Sequence, residues 1–134
     1  MNKEEIKKWD DLQKYNGSNV IAIDFDGVIH KNSKGYHDGT VYDNPFDGAI
    51  ESIRELSTIY DIIIYSFKGH PDRPKMNGKD GNTLVWEWLT KYGIDDCVDD
   101  VVWGKPNAKI YIDDKGYHFE NWKNTKKYLY ENIL

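Results

Sequence analysis

The sequence predicts an α/β fold in which a mostly parallel sheet is covered by helices on both faces, as a three-layer sandwich. Apolar runs rich in β-branched residues alternate along the chain with segments of helical periodicity, and clusters of Gly, Pro, Asn and Asp fall between them. Strands separated by helices need crossover connections, which join parallel strands. A chain of 134 residues has the length of one domain, so residues 1–134 are expected to form a single domain.

Each predicted element follows from a local pattern, beginning with a helix over residues 3–15. Ile6, Trp9 and Leu12 form a modest apolar stripe along it. A buried strand over 20–25 comes next. The remaining elements are predicted as a helix over 46–59, a strand over 61–67 that contains Ile62-Ile63-Ile64, a helix over 81–92 that ends at Gly93, strands over 101–103 and 109–112, and a helix over 119–132.

Composition and charge narrow the class of protein. The net charge of −5 argues against broad, nonspecific attraction to nucleic acid or to an anionic membrane. The single cysteine, Cys97, cannot form an internal disulfide, and neither end carries the apolar run of a signal peptide or a membrane span. We therefore expect a cytoplasmic protein without a membrane partner, in which any positive site is local.

Polar side chains follow each predicted strand at the point where it ends. They are Asp24 and Asp26 after the first strand, Ser66 after the second, Lys105 beyond the third, and Asp113 and Asp114 after the fourth. Ligands of parallel α/β sheets bind beyond the carboxyl ends of the strands. The sequence therefore predicts that these residues share one site.

The acidic residues of this set predict a metal site. Two carboxylates about 4 Å apart repel by roughly 4 kcal/mol at an effective dielectric constant of 20, so a cluster of acids requires a cation. The candidate ligands are hard oxygens, without the His and Cys spacing of a zinc site. Mg²⁺, completed by water and a substrate phosphate, is the expected cofactor.

The same residues suit phosphoryl transfer. The carboxylate of Asp24 is ionised at neutral pH and can attack phosphorus without a base to activate it. Asp26 can then protonate the leaving oxygen and later deprotonate the attacking water. The Ser66 hydroxyl can donate a hydrogen bond to a phosphoryl oxygen, and Lys105 can neutralise charge there. Asp24, Asp26, Ser66 and Lys105 are therefore the candidate catalytic residues.

Four ordered segments resemble the motifs of the haloacid dehalogenase-like (HAD) superfamily. They are Asp24-Phe25-Asp26-Gly27-Val28, Ser66 after Ile62-Ile63-Ile64-Tyr65, Lys105-Pro106, and Tyr111-Ile112-Asp113-Asp114. The resemblance implies a Rossmann-like sheet and a phosphatase that forms an aspartyl phosphate on Asp24. It also implies Mg²⁺ held by Asp24, Asp113 and the Asp26 carbonyl, with Asp114 as a further ligand, direct or through water.

The lengths of two loops indicate what kind of substrate the site can accept. Family members often insert a cap domain, but residues 29–45 and 67–80 are too few for one. The similarity thus implies a capless enzyme with an open site, which a second copy of the chain could close. The expected substrate is a small phosphorylated metabolite or nucleotide, with a nucleic-acid end such as a 3′-phosphate as the alternative. The candidate substrate-binding residues are Gly27, Ser66, Phe67, Lys68 and Lys105.

Two other classes of protein share part of this pattern. A phosphorelay receiver domain has an acidic pocket, a hydroxyl and a lysine, but its acidic pair precedes the acceptor, whereas here the DxD comes first. A catalytically silent binding module would have no use for Asp26, which serves turnover. Outside the motifs, His30 and Lys31 are interpreted as solvated loop charges, with contact to the leaving group as the alternative.

Overall fold

In this computed structural model, residues 19–35, 37–113 and 119–132 are described. The predicted helix over 3–15 and the candidate ligand Asp114 lie outside them. The strands are β1 (Val20–Asp24), β2 (Asp61–Tyr65), β3 (Asp100–Val102) and β4 (Ile110–Ile112). The helices are α1 (Ala49–Leu56), α2 (Gly81–Lys91) and α3 (Trp122–Asn132), with single 3₁₀ turns at Phe67–Gly69 and Asp95–Cys97.

The four strands form one all-parallel sheet in the order β3-β2-β1-β4. The parallel α/β fold predicted from the sequence is confirmed, and it is consistent with a Rossmann-like sandwich. Within the described ranges the three helices all contribute to the core on one face of the sheet, so helical cover of the second face stays a prediction. The chain runs from β1 outward through β2 to β3, and β4 then pairs on the other side of β1. This reversal of strand order creates a switch point between β1 and β4, which is where such sheets bind ligands.

Alternation along the strands gives the sheet two apolar faces. Ile21, Ile23, Ile62 and Ile64 belong to the larger buried cluster, to which α1, α2 and α3 all contribute. A smaller buried cluster on the opposite face contains Val20, Ala22, Ile63, Tyr65 and Val102. Because side chains alternate along a strand, Asp24 at the end of β1 belongs to the same face as Val20 and Ala22.

Several elements are shorter than predicted, for local reasons. The helix predicted over 46–59 begins at Ala49, because Gly48 has a left-handed backbone (φ +83°) that α-helical residues do not adopt. The strand predicted to Phe67 ends at Tyr65, because the Ser66 side chain caps the following 3₁₀ turn. No helix within the described ranges is long and apolar enough to cross a membrane.

Candidate active site

The carboxyl ends of β1 and β4 bring Asp24 and Asp113 to one cleft. Ile23 and Ile112 are partners in the parallel register, and the two aspartates are the next residue of each strand. Both line a cleft of about 260 Å³, together with Tyr65, Phe67, Trp103, Gly104 and Lys105. The sequence-based expectation that these two acids meet at the sheet edge with a lysine therefore agrees with the geometry.

Lys105 and Tyr65 both hold Asp113 in place. Its carboxylate is buried, with 3% of the side chain exposed, and the Lys105 ammonium lies 2.6 Å from Oδ2. The Tyr65 hydroxyl donates a hydrogen bond to the same oxygen. Lys105 also lies over the rings of Tyr65 and Tyr111, 5.7 and 5.2 Å from their centroids. The lysine predicted to contact phosphate is thus placed at the cleft by an acid and two aromatic rings.

The donors in the cleft fit Mg²⁺ in chemistry. Among the residues that the structure describes, no group of three His, Cys, Asp or Glu side chains could hold a metal ion. Asp24 and Asp113 nevertheless supply two hard carboxylates at one cleft. Mg²⁺ is usually bound by one or two carboxylates and keeps several waters or substrate oxygens, so the two aspartates are a sufficient protein contribution.

Asp26 has two nitrogen donors beside it, one at each carboxylate oxygen. Its Oδ1 lies 2.9 Å from His30 Nδ1, and its Oδ2 lies 3.2 Å from the Lys68 ammonium. Both partners are buried, since the side chains of His30 and Lys68 are 0% and 4% exposed, whereas that of Asp26 is 26% exposed. Asp26 is thus a partly accessible carboxylate held on two sides by buried nitrogen donors.

The interpretation of His30 as a solvated loop charge is wrong. The ring is fully buried, because the β1–α1 loop folds back over it. Phe25 accepts hydrogen bonds from the backbone of both Ile29 and His30, and Phe46 N donates to Ile29 O at 2.9 Å. No periodic pattern indicated this burial, because the packing depends on distant aromatic side chains.

Ser66 and Lys68 belong to one tight turn at the end of β2. Ser66 is 2% exposed, and its Oγ accepts a hydrogen bond of 3.2 Å from Lys68 N. That bond uses a lone pair of Oγ, so the hydroxyl hydrogen is still able to donate. Ser66, Lys68 and Asp26 are not among the described residues lining the Asp24 cleft, and Asp26 contacts Lys68.

Helix α2 fixes the position of Lys68 through a close backbone approach. A Cβ on Gly81 would lie 1.9 Å from the carbonyl oxygen of Lys68, so no larger residue fits there unless the turn moves. A Cβ on Gly69 would instead meet the side chain of Asn82, at 2.0 Å from Oδ1. The turn that carries Lys68 is therefore packed directly on the first residues of α2.

The two other candidate substrate-binding residues occupy exposed positions. Gly27 has a left-handed backbone (φ +81°) with open space where a Cβ would lie, and its N–H donates to His30 O at 2.8 Å. Phe67 is 60% exposed at the rim of the Asp24 cleft. Its ring stacks on His70, and the Arg73 guanidinium lies 5.4 Å from its centroid.

No protein-family model, curated protein or solved structure matches this chain. The likeness to the HAD superfamily therefore rests on the four motif segments alone. Three residues that line the cleft were not assigned a role there from the sequence: Tyr65, Trp103 and Gly104. Tyr65 could have been found from alternation, because it is the register partner of Asp24 and so points to the same face.

Proposed function

We propose that the chain is a Mg²⁺-dependent phosphomonoester hydrolase that acts through a phosphorylated Asp24. The observation that carries this proposal is the placement of Asp24, Asp113 and Lys105 around one cleft at the switch point of the sheet. An acid nucleophile, a second acid and a cation at one open site suit the transfer of an anionic phosphoryl group.

The first step is attack by an Asp24 carboxylate oxygen on phosphorus. The new bond from oxygen to phosphorus forms as the bond to the leaving oxygen breaks, and Asp26 in its protonated form gives that oxygen its proton. Bound Mg²⁺ would supply charge neutralisation at the phosphoryl oxygens, with Asp24 and Asp113 as its protein ligands. Lys68, whose ammonium lies 3.2 Å from Asp26 Oδ2, places a positive charge beside this acid.

The second step returns Asp24 to its starting state. Water attacks phosphorus, Asp26 accepts a proton from that water, and the bond between phosphorus and Asp24 breaks to release inorganic phosphate. The contacts of His30 with Oδ1 and of Lys68 with Oδ2 hold the Asp26 carboxylate in one orientation for this step. Asp26 is again protonated for the next cycle.

The cleft supports a small phosphorylated substrate. The Phe67 ring at its rim is exposed but already stacks on His70 and lies near Arg73, so its exposed part can contact the leaving group of either a metabolite or a nucleotide. A nucleic-acid end with a 3′-phosphate is the alternative, and it would bind less tightly as salt increases, because several phosphates would be contacted.

The direct test is hydrolysis of an aryl phosphate with Mg²⁺, followed by trapping of the intermediate. The parent protein should release phosphate, lose that activity with a chelator, and yield a hydroxamate at Asp24 when hydroxylamine is added during turnover. Asp24→Asn should keep the parental circular dichroism spectrum and form neither phosphate nor hydroxamate. Equal turnover by this variant and the parent would exclude Asp24 as the nucleophile.

A further inference from the structure

The two ring nitrogens of His30 have different partners, and these partners define its tautomer. Nε2 lies 2.8 Å from the backbone nitrogen of Asp43. A backbone N–H can only donate, so Nε2 must present its lone pair to Asp43. A neutral imidazole with a lone pair on Nε2 carries its proton on Nδ1. The contact of 2.9 Å between Nδ1 and Asp26 Oδ1 is therefore a hydrogen bond that His30 donates.

The imidazole is fixed in place by three aromatic rings. It stacks on Phe25 with 5.2 Å between centroids and 3° between planes. The rings of Tyr42 and Trp88 contact it edge-on, at 5.2 and 5.8 Å. With the side chain fully buried, rotation of the ring would break both polar contacts and this packing.

The acceptor side of His30 is anchored as well. The backbone N–H of Asp43 donates to His30, and the Asp43 carbonyl accepts from Trp88 Nε1 at 2.8 Å. The Asp43 carboxylate accepts from both the hydroxyl and the backbone N–H of Ser33. These bonds, led by that of the Ser33 hydroxyl, lower the pKa of Asp43 to about 2. A fixed backbone N–H thus holds Nε2, which keeps the Nδ1 proton directed at Asp26.

We propose that His30 is a positioning residue for proton transfer by Asp26, an inference that rests on the proposed function. Asp26 is partly exposed and lies beyond the end of β1, where an unheld side chain would sample several rotamers. The Nδ1–H of His30 fixes Oδ1, and the oxygen on the Lys68 side remains to exchange protons with the leaving group and with water. His30 neither contacts substrate nor carries the proton.

Two variants separate the donated hydrogen bond from the other contacts of His30. His30→Phe keeps an aromatic ring against Phe25 but has no donor for Asp26. His30→Asn places an amide N–H near the position of Nδ1. Both variants lose the acceptor for Asp43 N–H. They differ in two respects: only His30→Asn has a donor for Asp26, and only His30→Phe keeps an aromatic ring. Ser33→Ala, which removes the 2.5 Å bond from the Ser33 hydroxyl to Asp43, controls for loosening of the loop.

The readout is the ratio of kcat/KM for an alkyl phosphate to that for an activated aryl phosphate. Because kcat/KM covers the steps up to departure of the leaving group, the alkyl ester depends on protonation by Asp26, and the aryl ester depends on it little. We expect His30→Phe to lower this ratio by about 100-fold, the cost of a misplaced catalytic group. His30→Asn should restore most of it. Ser33→Ala loosens the anchor at Asp43 but keeps the His30 donor, so it should lower the ratio far less than His30→Phe does.

A merely structural role for His30 predicts a different result. Loss of folded protein lowers both kcat/KM values by one factor and leaves their ratio unchanged. An unchanged ratio in His30→Phe, or no recovery in His30→Asn, would overturn the inference.

A second measurement does not depend on turnover. Long-range ¹⁵N–¹H correlation spectra of the parent should show His30 with its proton on Nδ1, and Asp26→Asn should shift that nitrogen. A His30 resonance with its proton on Nε2 would also overturn the inference. If the parent hydrolyses neither ester, the proposed function fails, and the catalytic part of the inference fails with it. The NMR assignment of the His30 tautomer still tests the hydrogen bond between His30 and Asp26.

Discussion

The hydroxyl of Tyr65 and the buried carboxylate of Asp113 form a hydrogen bond between the ends of β2 and β4, on either side of β1. Strand β1, which ends at Asp24, lies between these two strands. The oxygen that accepts it is also the one nearest the Lys105 ammonium. The charge of Asp113 is therefore balanced within the cleft before any ligand binds.

Removal of the Tyr65 hydroxyl should destabilise the fold more than removal of the Tyr111 hydroxyl. Hydrogen bonds to charged groups contribute about 1.5–3 kcal/mol, and those between neutral groups about 0.5–1.5 kcal/mol. Tyr111 donates to a backbone carbonyl, that of Pro106, at 2.5 Å. Urea denaturation should show a larger loss of unfolding free energy for Tyr65→Phe than for Tyr111→Phe. The reverse order would mean that the bond to Asp113 contributes little.

Replacement of Lys105 by Met should increase the stabilisation that Mg²⁺ gives the protein. The Lys105 ammonium lies 2.6 Å from Asp113 Oδ2 and would repel a divalent cation held by this carboxylate, so its removal favours binding of the metal. A ligand that binds only the native state stabilises it by RT ln(1 + c/Kd) at a free concentration c, so tighter binding at a fixed concentration gives a larger effect. The thermal midpoint, compared between MgCl₂ and NaCl at equal ionic strength, should therefore rise more for Lys105→Met than for the parent.

A lysine outside the cleft provides the control for this metal effect. Lys109 contacts the Tyr60 hydroxyl at 2.9 Å and does not line the cleft, so Lys109→Met should leave the Mg²⁺ effect unchanged. Asp113→Asn should abolish the effect. An equal Mg²⁺ response in Asp113→Asn and the parent would place the metal elsewhere.

Gly81→Ala should damage both stability and activity, although alanine is the better helix former by about 1 kcal/mol. Its Cβ would overlap the Lys68 carbonyl at 1.9 Å, and the backbone of that turn must move. Overpacking of this kind costs about 1–3 kcal/mol. The displacement also moves the Lys68 ammonium from Asp26, so kcat on an aryl phosphate should fall together with the unfolding free energy.

Gly69→Ala is the matched variant for this prediction. Its Cβ would meet the Asn82 side chain, which can rotate away. A smaller loss of stability is expected, with kcat near the parental value. If the two variants proved equally harmful, the distinction between backbone and side-chain contacts at this turn would be incorrect.

The contact between α1 and α3 should make stability depend on pH at both ends of the range. Hydrogen bonds from Tyr130 and then Lys126 lower the pKa of Glu55 from 4.5, so its contribution is present above that value and is lost as pH falls through the lowered pKa. The hydrogen bond to Glu55 raises the pKa of Tyr130 from 10.0. That contribution is complete below 10.0 and is lost as pH rises through the raised pKa.

Tyr130→Phe tests this pH dependence. The difference in unfolding free energy between the parent and the variant should be constant between pH 4.5 and 10.0 and should shrink beyond each limit. Chemical denaturation across the pH range measures it. A difference that stays constant in strong acid would show that Glu55 is not the partner of Tyr130.

Local patterns were sufficient to predict the sheet but not the environment of each acid. The runs around Ile23 and Ile63 predicted parallel strands, and strand ends in such a sheet share an edge, so the meeting of Asp24 with Asp113 followed from topology. The partners of Asp26 could not be predicted from the topology of the sheet. They depend on how the β1–α1 loop returns over Phe25 and on how α2 packs against the turn at Lys68, which are contacts between residues far apart in sequence.

Both ring nitrogens of His30 make hydrogen bonds in the folded protein, so the rate of chemical modification of this side chain reports how often the β1–α1 loop opens. Histidine acylating reagents attack the lone pair of a neutral imidazole, and in His30 that lone pair is directed at Asp43 N–H. His37, in the same loop, is exposed and serves as the internal standard. The rate at which His30 is modified, relative to His37, therefore converts by mass spectrometry into the free energy of lifting the loop from the sheet.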